Sequence, residues 1–334
     1  MGYRLSKTET EQLFKKLRQK YEIYAPVLKE GDGCFSDTDV VRYDKISSPE
    51  EIVWDRRSDY SFKEALLPVN ETLFYFTEDE TSVPKGTEKE LLIFLRACDL
   101  HAVKRLDEMY LKNGFEDFYY KRRRERARFA LMGCSASCGS GFCVSMGTNR
   151  ADFYDLYMKV EKDAVYADCR DPELEAFWKE AGAAGAEVVP EYAKENQEKV
   201  TLPKKLSNES FTKEIWDEYG ARCIGCGRCN FVCPTCTCFT MQDIFYRDNA
   251  AVGERRRVWA SCQVDGYTDI AGGISFRKKQ GERFRFKVMH KIYDFEKRFG
   301  YPMCVGCGRC DQVCPEYISY SNCISRLAGE EEKE

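Results

Sequence analysis

The feature that most constrains this sequence is a cysteine-rich pattern that occurs twice. The first copy reads C-I-G-C-G-R-C-N-F-V-C-P from Cys223, and the second reads C-V-G-C-G-R-C-D-Q-V-C-P from Cys304. Both have the spacing C-x2-C-x2-C-x3-C-P, which holds [4Fe–4S] clusters in bacterial ferredoxins. Three thiolates on one tight turn can bind three corners of a cubane, and the glycines between them let backbone N–H groups approach its sulfides. The pattern therefore predicts two [4Fe–4S] clusters.

The fourth cysteine of each run is predicted to bind a different cluster from the first three. It cannot fold back onto the same cubane, and in two-cluster ferredoxins it binds the other one. The first cluster is therefore predicted on Cys223, Cys226, Cys229 and Cys314. The second is predicted on Cys304, Cys307, Cys310 and Cys233. A proline follows each fourth cysteine and interrupts the local structure there.

Zinc binding is the main alternative for cysteines in such numbers. Structural zinc sites usually show two C-x2-C pairs separated by a longer loop. Here three cysteines recur at a spacing of x2 and a fourth at x3, and the whole arrangement is duplicated. Cys229, Cys233 and Cys236 also spell C-x3-C-x2-C, a radical-type cluster pattern, but that match overlaps the first run and has no duplicate. The spacing favours two ferredoxin-type clusters.

Composition limits the class of protein. The chain has 334 residues, 43% of them hydrophobic, which is enough for about two domains with real cores. Its 52 Lys and Arg residues are balanced by 56 Asp and Glu residues, which argues against a nucleic-acid partner. The sequence has no apolar run of membrane-spanning length and no apolar signal region, so no membrane association is expected. With eight of eighteen cysteines in the two runs, a cytoplasmic location is expected rather than a disulfide-forming compartment.

The first part of the chain, residues 1–200, has the pattern of an α/β domain. Leu91–Leu95 is a continuous apolar run, typical of a strand that is buried on both faces. Asp99–Leu111 is predicted to be a helix, and Phe129–Met132 a second buried strand. A strand, a helix and a strand in this order indicate a βαβ-like unit.

Further elements are expected around this unit. A helix is predicted over residues 8–20, with Thr8 or Thr10 as its N-cap. Residues 153–160 and 164–167 are expected to form a hairpin at the edge of the sheet. Other short strands are predicted at Tyr21–Val27, Val40–Tyr43 and Leu73–Phe76.

Four further cysteines follow the two buried strands of this domain. They are Cys98, after the first strand, and Cys134, Cys138 and Cys143, after the second. Ligands of open α/β sheets gather where the strands end, so these four are predicted to hold a third [4Fe–4S] cluster. A flexible Gly/Ser-rich loop carries the last two, and Asp99 offers an oxygen ligand in place of one thiol. The alternative is a set of small buried thiols that only fill space.

The second domain is expected over residues 207–327, after a Lys- and Glu-rich boundary at residues 191–206. Helices predicted at Phe211–Tyr219 and Arg283–Arg298 lead directly into the two cysteine runs. Compact bacterial ferredoxins put strands around their runs, whereas here a helix precedes each, which favours an α-helical dicluster ferredoxin-type domain. Five cysteines outside the predicted ligand sets are interpreted as ordinary or cluster-lining thiols: Cys34, Cys169, Cys236, Cys238 and Cys262.

The most basic stretch is K-R-R-R-E-R-A-R at residues 121–128. A solvated face is the favoured interpretation of such a charge run. The alternative is a docking patch for an acidic partner or an anionic cofactor.

Several motifs together resemble those of one family. They are the paired runs, C-P-T-C-T-C-F, the insert W-x-S-C…A-G-G, and R-A-C-D-L-H-A. This combination resembles the A subunit of anaerobic sulfite reductase and, more distantly, the β subunit of cytosolic sulfhydrogenases. The resemblance implies an iron–sulfur subunit of a three-subunit complex. It further implies that electrons enter from NADH through a flavin subunit and leave to a sirohaem subunit that reduces sulfite to sulfide.

The remaining motifs agree with a role in electron transfer. No G-x-G-x-x-G fingerprint follows a predicted strand, so NADH binding by this chain is unsupported. Two histidines, His101 and His290, give little support to Ser–His hydrolysis or histidine-rich metal catalysis. The chain is therefore expected to carry electrons while its partners carry the substrate chemistry. The alternatives are the electron-transfer β subunit of a soluble [NiFe] hydrogenase, which the cysteine runs fit equally well, and a non-redox metal-binding interaction module.

Overall fold

The computed structural model describes residues 1–33, 37–86, 88–204, 206–246 and 251–331. The chain divides into two compact units, each assembled from separate stretches of sequence. The first unit contains Met1–Leu66, Thr87–Glu198 and Val305–Cys307. The second contains Leu67–Gly86, Lys199–Cys304 and Gly308–Glu334.

The strands and α-helices of the described residues are numbered in chain order. The strands are β1 (Gly2–Ser6), β2 (Tyr21–Lys29), β3 (Val40–Lys45), β4 (Asn70–Phe76), β5 (Thr81–Ser82), β6 (Glu90–Arg96), β7 (Ala127–Met132), β8 (Leu156–Val160), β9 (Ala164–Cys169), β10 (Ala184–Gly185), β11 (Phe239–Phe245), β12 (Gly253–Trp259), β13 (Asp269–Ile270) and β14 (Ile274–Ser275). The helices are α1 (Lys7–Lys20), α2 (Lys63–Leu66), α3 (Ala97–Leu111), α4 (Phe118–Arg124), α5 (Pro172–Glu180), α6 (Ile215–Arg222), α7 (Arg228–Phe231), α8 (Gln280–Met289), α9 (Phe295–Phe299), α10 (Arg309–Gln312) and α11 (Tyr320–Glu331). Within the described ranges, no helix is both long and apolar enough to cross a membrane.

The first unit is built on a mixed eight-stranded sheet with the strand order β10-β1-β9-β8-β7-β6-β2-β3. Its centre is parallel, because β6 pairs in parallel with both β2 and β7, and β7 with β8. Helix α3 connects β6 to β7 and packs on both strands. Every residue of β6 after Glu90 is buried, as its continuous apolar run predicts. The predicted mixed α/β domain with its βαβ unit is confirmed.

The core of this unit lies where α1 and α5 pack against the sheet. Phe14 of α1 stacks on Phe94 of β6 with ring centroids 6.2 Å apart. Leu17 of α1 and Trp178 of α5 belong to the same buried apolar cluster. Fully burying one such side chain contributes roughly 1.5–3 kcal/mol, so the α1 stripe is a major stabilising contact of the sheet.

The first helix begins before both predicted caps, Thr8 and Thr10. Ser6 is the N-cap: its hydroxyl accepts a hydrogen bond from the Glu9 backbone N–H, and the Glu9 carboxylate accepts one from the Ser6 N–H at 2.8 Å. This reciprocal pair is a capping box. The assignment of the cap to Thr8 or Thr10 was wrong, because Thr10 lies inside the helix, where its hydroxyl donates to the Ser6 carbonyl at 2.8 Å.

The predicted hairpin is present, but it is not at the sheet edge. Strands β8 and β9 pair antiparallel, as expected. Strand β1 then pairs with the far side of β9, and β10 pairs with β1. The edge prediction was wrong because the five residues of β1 precede the first helix and carry little apolar signal of their own.

The second unit contains a four-stranded antiparallel sheet with the order β11-β12-β4-β5. Residues from early in the chain therefore pair with the segment between the two cysteine runs. A buried ion pair joins the central strands, since Arg257 of β12 donates to Glu71 of β4 at 2.7 Å. The predicted strand at Leu73–Phe76 is confirmed within β4, whereas the strands between the runs were not predicted.

Helices precede both cysteine runs in this unit. Helix α6 ends at Arg222, directly before the first run; α8, a π-helical turn at His290–Asp294 and α9 precede the second. Helices α6 and α8 cross closely, because a Cβ on Gly220 would lie only 2.6 Å from the Cα of Gly281. Tyr219 and Phe284 stack across this crossing at 5.0 Å. The predicted helices before the two runs are thus confirmed, but the expectation of an α-helical domain without strands was wrong, because β11 and β12 form a hairpin between the runs.

Candidate metal centre

The two cysteine runs have the same local structure. In each, a glycine in the left-handed conformation precedes a one-turn helix: Gly227, with φ 75°, before α7, and Gly308, with φ 71°, before α10. A residue with a Cβ would be strained at both positions. At Gly227 it would also approach the Ser261 side chain to 2.9 Å. Helices α7 and α10 pack against each other, which brings the two runs together.

Four predicted ligands line one cavity in the second unit. They are Cys223, Cys226, Cys229 and Cys314. The cavity measures about 30 Å³, and Cys310, Lys287, Phe284 and Tyr320 complete much of its lining. Three of these cysteines come from the first run and one from the end of the second. This is the grouping that crossed ligation of the first cluster requires.

Three of the four cysteines predicted for the second cluster interact electrostatically with Tyr320 in the same unit. Burial raises the pKa of Tyr320 well above its usual value, and Cys304, Cys310 and Cys233 raise it further. Tyr320 therefore lies close to sulfurs from both runs. The fourth predicted ligand, Cys307, belongs to the short stretch Val305–Cys307 of the first unit.

Two buried lysines lie among these cysteines. Burial lowers the pKa of Lys287, but Cys229 and Cys310 outweigh it, so the pKa lies well above its usual value. Burial likewise lowers the pKa of Lys291, and Cys233 is the first of several sulfurs that raise it again. The ammonium of Lys291 also donates to the Thr235 carbonyl at 2.9 Å. Buried cations of this kind need nearby negative charge, which thiolate-bound clusters supply.

Hydrogen bonds also point at the candidate ligands. Gln280 donates from its side-chain amide to the Cys223 sulfur at 3.3 Å, and the backbone N–H of Ile318 donates to the Cys314 sulfur at 3.3 Å. Donors of this kind orient cluster ligands and set cluster potentials. Sequence analysis missed Gln280 and Lys287. The sequence did contain an indication for Lys287: it falls at helical spacing on the same buried face of α8 as Phe284 and Val288.

The residues of this region fit a [4Fe–4S] cluster. A cubane takes one thiolate on each of four irons, so its ligands surround a cavity, as the four cysteines do here. The buried ammonium of Lys287 and the N–H donors suit an anionic, sulfur-rich group. Among the described residues, no three His, Cys, Asp or Glu side chains are placed so that they could hold a single metal ion.

The N-terminal cysteines gather at the end of the first sheet. Arg96 of β6 pairs with Met132 of β7, so Cys98 and Cys134 each lie two residues beyond a matched pair. Burial raises the pKa of Cys143 to about 12, and the neighbouring Cys134 and Cys138 add to the increase. The structure therefore brings the three loop cysteines together and places Cys98 at the matching end of the adjacent strand.

Arg96 supplies a cation to this group of cysteines. Its side chain is only 7% exposed, and its guanidinium donates to the Cys134 sulfur at 3.3 Å and to the Gly133 carbonyl at 3.2 Å. The other terminal nitrogen donates to the carbonyls of Trp54 and Arg56 at 2.8 and 2.9 Å. These contacts hold the charge against the thiols. Sequence analysis missed this residue, since the apolar run of β6 ends just before it.

The stretch Val305–Cys307 lies beside the loop that carries Cys143. The Phe142 backbone N–H donates to the Gly306 carbonyl at 2.7 Å, and Thr148 donates to the Val305 carbonyl at 2.7 Å. Only glycine fits at position 306, because a Cβ there would lie 2.6 Å from the Phe142 carbonyl oxygen. Cys307 consequently lies near enough to Cys143 to help raise the pKa of that thiol.

The remaining sequence predictions concern isolated thiols and the basic stretch. Cys34 lies outside the described residues, and Cys169 is buried in β9. Within residues 121–128, Arg124 pairs with Asp107 at 3.0 Å and Arg128 with Asp171 at 3.1 Å. These pairs give the stretch a structural role within its own unit. They do not test whether it docks an acidic partner or an anionic cofactor.

Comparison with known proteins adds two similarities. A family model described as a 4Fe-4S dicluster domain matches residues 222–318, a range that includes both cysteine runs. The chain is 30% identical over 333 residues to Sulfhydrogenase 2 subunit beta of Pyrococcus furiosus, a match that covers 95% of each sequence. No solved structure matches the chain. The dicluster match supports [4Fe–4S] clusters as the cofactors of the second unit.

Proposed function

We propose, because this chain belongs to the family of sulfhydrogenase β subunits, that it is the electron-transfer subunit of a hydrogenase-type complex. The full-length match favours the hydrogenase alternative over the sulfite reductase expected from the motifs. An iron–sulfur electron-transfer subunit of a multi-subunit oxidoreductase is common to both hypotheses. A flavin subunit that takes electrons from NADH remains part of the proposal, and the hydrogenase subunits replace the sirohaem subunit as the second partner.

The observation that carries this proposal is the cavity lined by Cys223, Cys226, Cys229 and Cys314. A [4Fe–4S] cluster bound there supplies one-electron transfer. The four thiolates bind it, the Gln280 amide and the Ile318 N–H donate to two of their sulfurs, and Lys287 balances negative charge. We assign the second cluster to Cys304, Cys307, Cys310 and Cys233.

The test of function is to purify the chain anaerobically from its host with its bound partners. We expect a co-purifying nickel-containing subunit, and reduction of a viologen dye by hydrogen that is lost when this chain is removed. The iron and acid-labile sulfide content of the complex is measured in parallel. A sirohaem partner with sulfite-dependent sulfide production would instead establish the sulfite reductase hypothesis. A preparation without iron would leave only the non-redox interaction module.

We also propose a third [4Fe–4S] cluster on Cys98, Cys134, Cys138 and Cys143. The electrostatic interaction of Cys143 with Cys134 and Cys138 supports it, as does the buried Arg96 guanidinium, which donates to one of the sulfurs. The matched strand ends and the buried Asp99 beside Cys98 complete the group. A purely space-filling role would not call for a buried cation directed at a thiol.

Iron analysis distinguishes the third cluster from packed thiols. We expect about twelve iron atoms per fully reconstituted chain, four for each cluster, and about eight in the double variant Cys138→Ser/Cys143→Ser. Cys169→Ser is the control, because Cys169 is a buried thiol of the same unit that lies in β9, away from this group, and it should retain the full iron content. Equal iron in the double variant and the control would show that these four cysteines only pack.

A further inference from the structure

Three cysteines outside the proposed ligand sets meet at the open end of one β-hairpin. They are Cys236, Cys238 and Cys262. Strands β11 and β12 pair from Phe239 and Trp259 onward, and the Ala260 N–H donates to the Cys238 carbonyl at 3.0 Å. Cys238 therefore lies just before one strand and Cys262 just after its partner. The hairpin register holds two distant parts of the chain side by side.

The side chains of these cysteines are in contact. Cys238 forms side-chain hydrogen bonds with both Cys236 and Cys262. The side-chain amide of Asn230, which is 2% exposed, donates to the Cys262 sulfur at 3.1 Å. A buried amide N–H directed at sulfur favours the thiolate over the thiol. Direct contact between two sulfurs is also the first geometric requirement for a disulfide, whose bond is about 2 Å long.

The electrostatics distinguish Cys262 from an ordinary buried thiol. The hydrogen bond from Cys238 lowers the pKa of Cys262, and this effect exceeds the opposing effect of burial. At Cys169, which is buried without such a donor, burial raises the pKa to about 12. The ammonium of Lys291 also interacts with Cys236 and Cys238. Thiols are reactive in proportion to their thiolate character, so Cys262 is set apart from the space-filling cysteines.

We propose that Cys238 and Cys262 are a redox-active dithiol that closes reversibly to a disulfide while the clusters remain bound. The two thiols lose two electrons and two protons as their S–S bond forms. A small-molecule disulfide takes up both, because its own S–S bond breaks and it leaves as two thiols. Cys238 is the more accessible member, since it is only partly buried, whereas Cys262 is buried. Such a site would exchange electrons in pairs, beyond the one-electron role proposed for the clusters.

The test uses the full-length, cluster-loaded chain, purified without oxygen. It is equilibrated with mixtures of oxidised and reduced dithiothreitol, its free thiols are alkylated, and linked peptides are identified by mass spectrometry. We expect a Cys238–Cys262 link that forms and disappears reversibly along a two-electron redox curve. Iron content and the visible cluster spectrum should not change across this range.

Variants locate the bond. Cys262→Ser should abolish the link, while Cys236→Ser and the buried control Cys169→Ser should retain it. If Cys262→Ser fails to fold, the peptide map of the wild-type chain decides on its own. A link that appears only after iron is lost would overturn the proposal. So would full alkylation of both cysteines at every dithiothreitol ratio, or their protection by bound zinc. If the cluster spectrum is unchanged and no link forms, the dithiol proposal is wrong, and the proposed electron-transfer function is unaffected.

Discussion

At the scale of single residues, the charge buried around the cysteines is the most informative feature. Lys287 and Lys291 are 4% and 5% exposed, and Arg96 is 7% exposed. Each has cysteine sulfurs among the groups that raise its pKa. An unpaired buried cation would be strongly destabilising, so these side chains report negative charge on the neighbouring sulfurs. These cations would also tune the reduction potential of a bound cluster, because local charge is one determinant of that potential.

Replacing Lys287 should therefore shift one cluster potential. Removing a cation disfavours the more negative, reduced cluster, so Lys287→Met should lower the potential by roughly 60 mV, the equivalent of about 1.4 kcal/mol. The measurement is a redox titration monitored by EPR. Lys297→Met is the control: this lysine lies in α9 and is exposed, so its replacement should leave the cluster potentials unchanged. Equal shifts in the two variants would contradict a specific role for Lys287.

At the scale of elements, the sequence predicts best the strands that carry their signal locally. Strands β6 and β7 contain the continuous apolar runs Leu91–Leu95 and Phe129–Met132, and the positions of the strands follow directly from these runs. Strands β11 and β12 read F-T-M-Q-D-I-F and G-E-R-R-R-V-W, where charged side chains hide the pattern. The pairing of β12 with β4 joins Glu71 and Arg257, which are 186 positions apart, and no local pattern records that.

The same distinction applies to the candidate site. Cysteine spacing predicts which thiols belong together, and the cavity around Cys223 and Cys314 brings together the four that crossed ligation requires. Cysteine spacing carries no information about the residues that contact the cysteine sulfurs. Gln280, Lys287 and Arg96 could therefore not be assigned from the spacing. They reach the cysteines through the crossing of α6 with α8 and through the parallel register of β6 with β7.

Removing one partner of the buried pair between β4 and β12 should destabilise the four-stranded sheet. Glu71→Leu leaves Arg257 buried without its carboxylate and should cost about 3 kcal/mol of unfolding free energy. The double variant Glu71→Leu/Arg257→Met removes both charges and should recover most of that loss. Denaturant unfolding followed by tryptophan fluorescence measures the difference, with Trp259 in the affected strand.

An exposed pair in the same sheet provides the matched control. Arg255 and Asp243 pair at 2.7 Å between β12 and β11, but both are substantially exposed. Arg255→Ala should cost less than about 1 kcal/mol, as surface pairs usually do. If it costs as much as Glu71→Leu, burial is not what makes the first pair important.

At the scale of the whole molecule, the chain is assembled from interrupted stretches, and the cysteine runs follow the same principle. The second run contributes Val305–Cys307 to the first unit and its remaining cysteines to the second. The end of the second run then lines the cavity of the first run. Ligands distant in sequence are thus held together by packing of α7 on α10, so loss of one cysteine should affect the cluster of the other run.

Serine variants of paired cysteines test this exchange directly. In crossed ligation Cys314→Ser damages the cluster that Cys226→Ser damages, so the two variants should lose the same EPR signal and shift the same potential. Cys233→Ser should match Cys307→Ser in the same way. Each comparison is between a fourth cysteine and a cysteine of the opposite run, so neither signal needs to be assigned in advance. If Cys314→Ser instead reproduced the spectrum of Cys307→Ser, each run would hold its own cluster, and the cavity lined by Cys223, Cys226, Cys229 and Cys314 would need a different occupant.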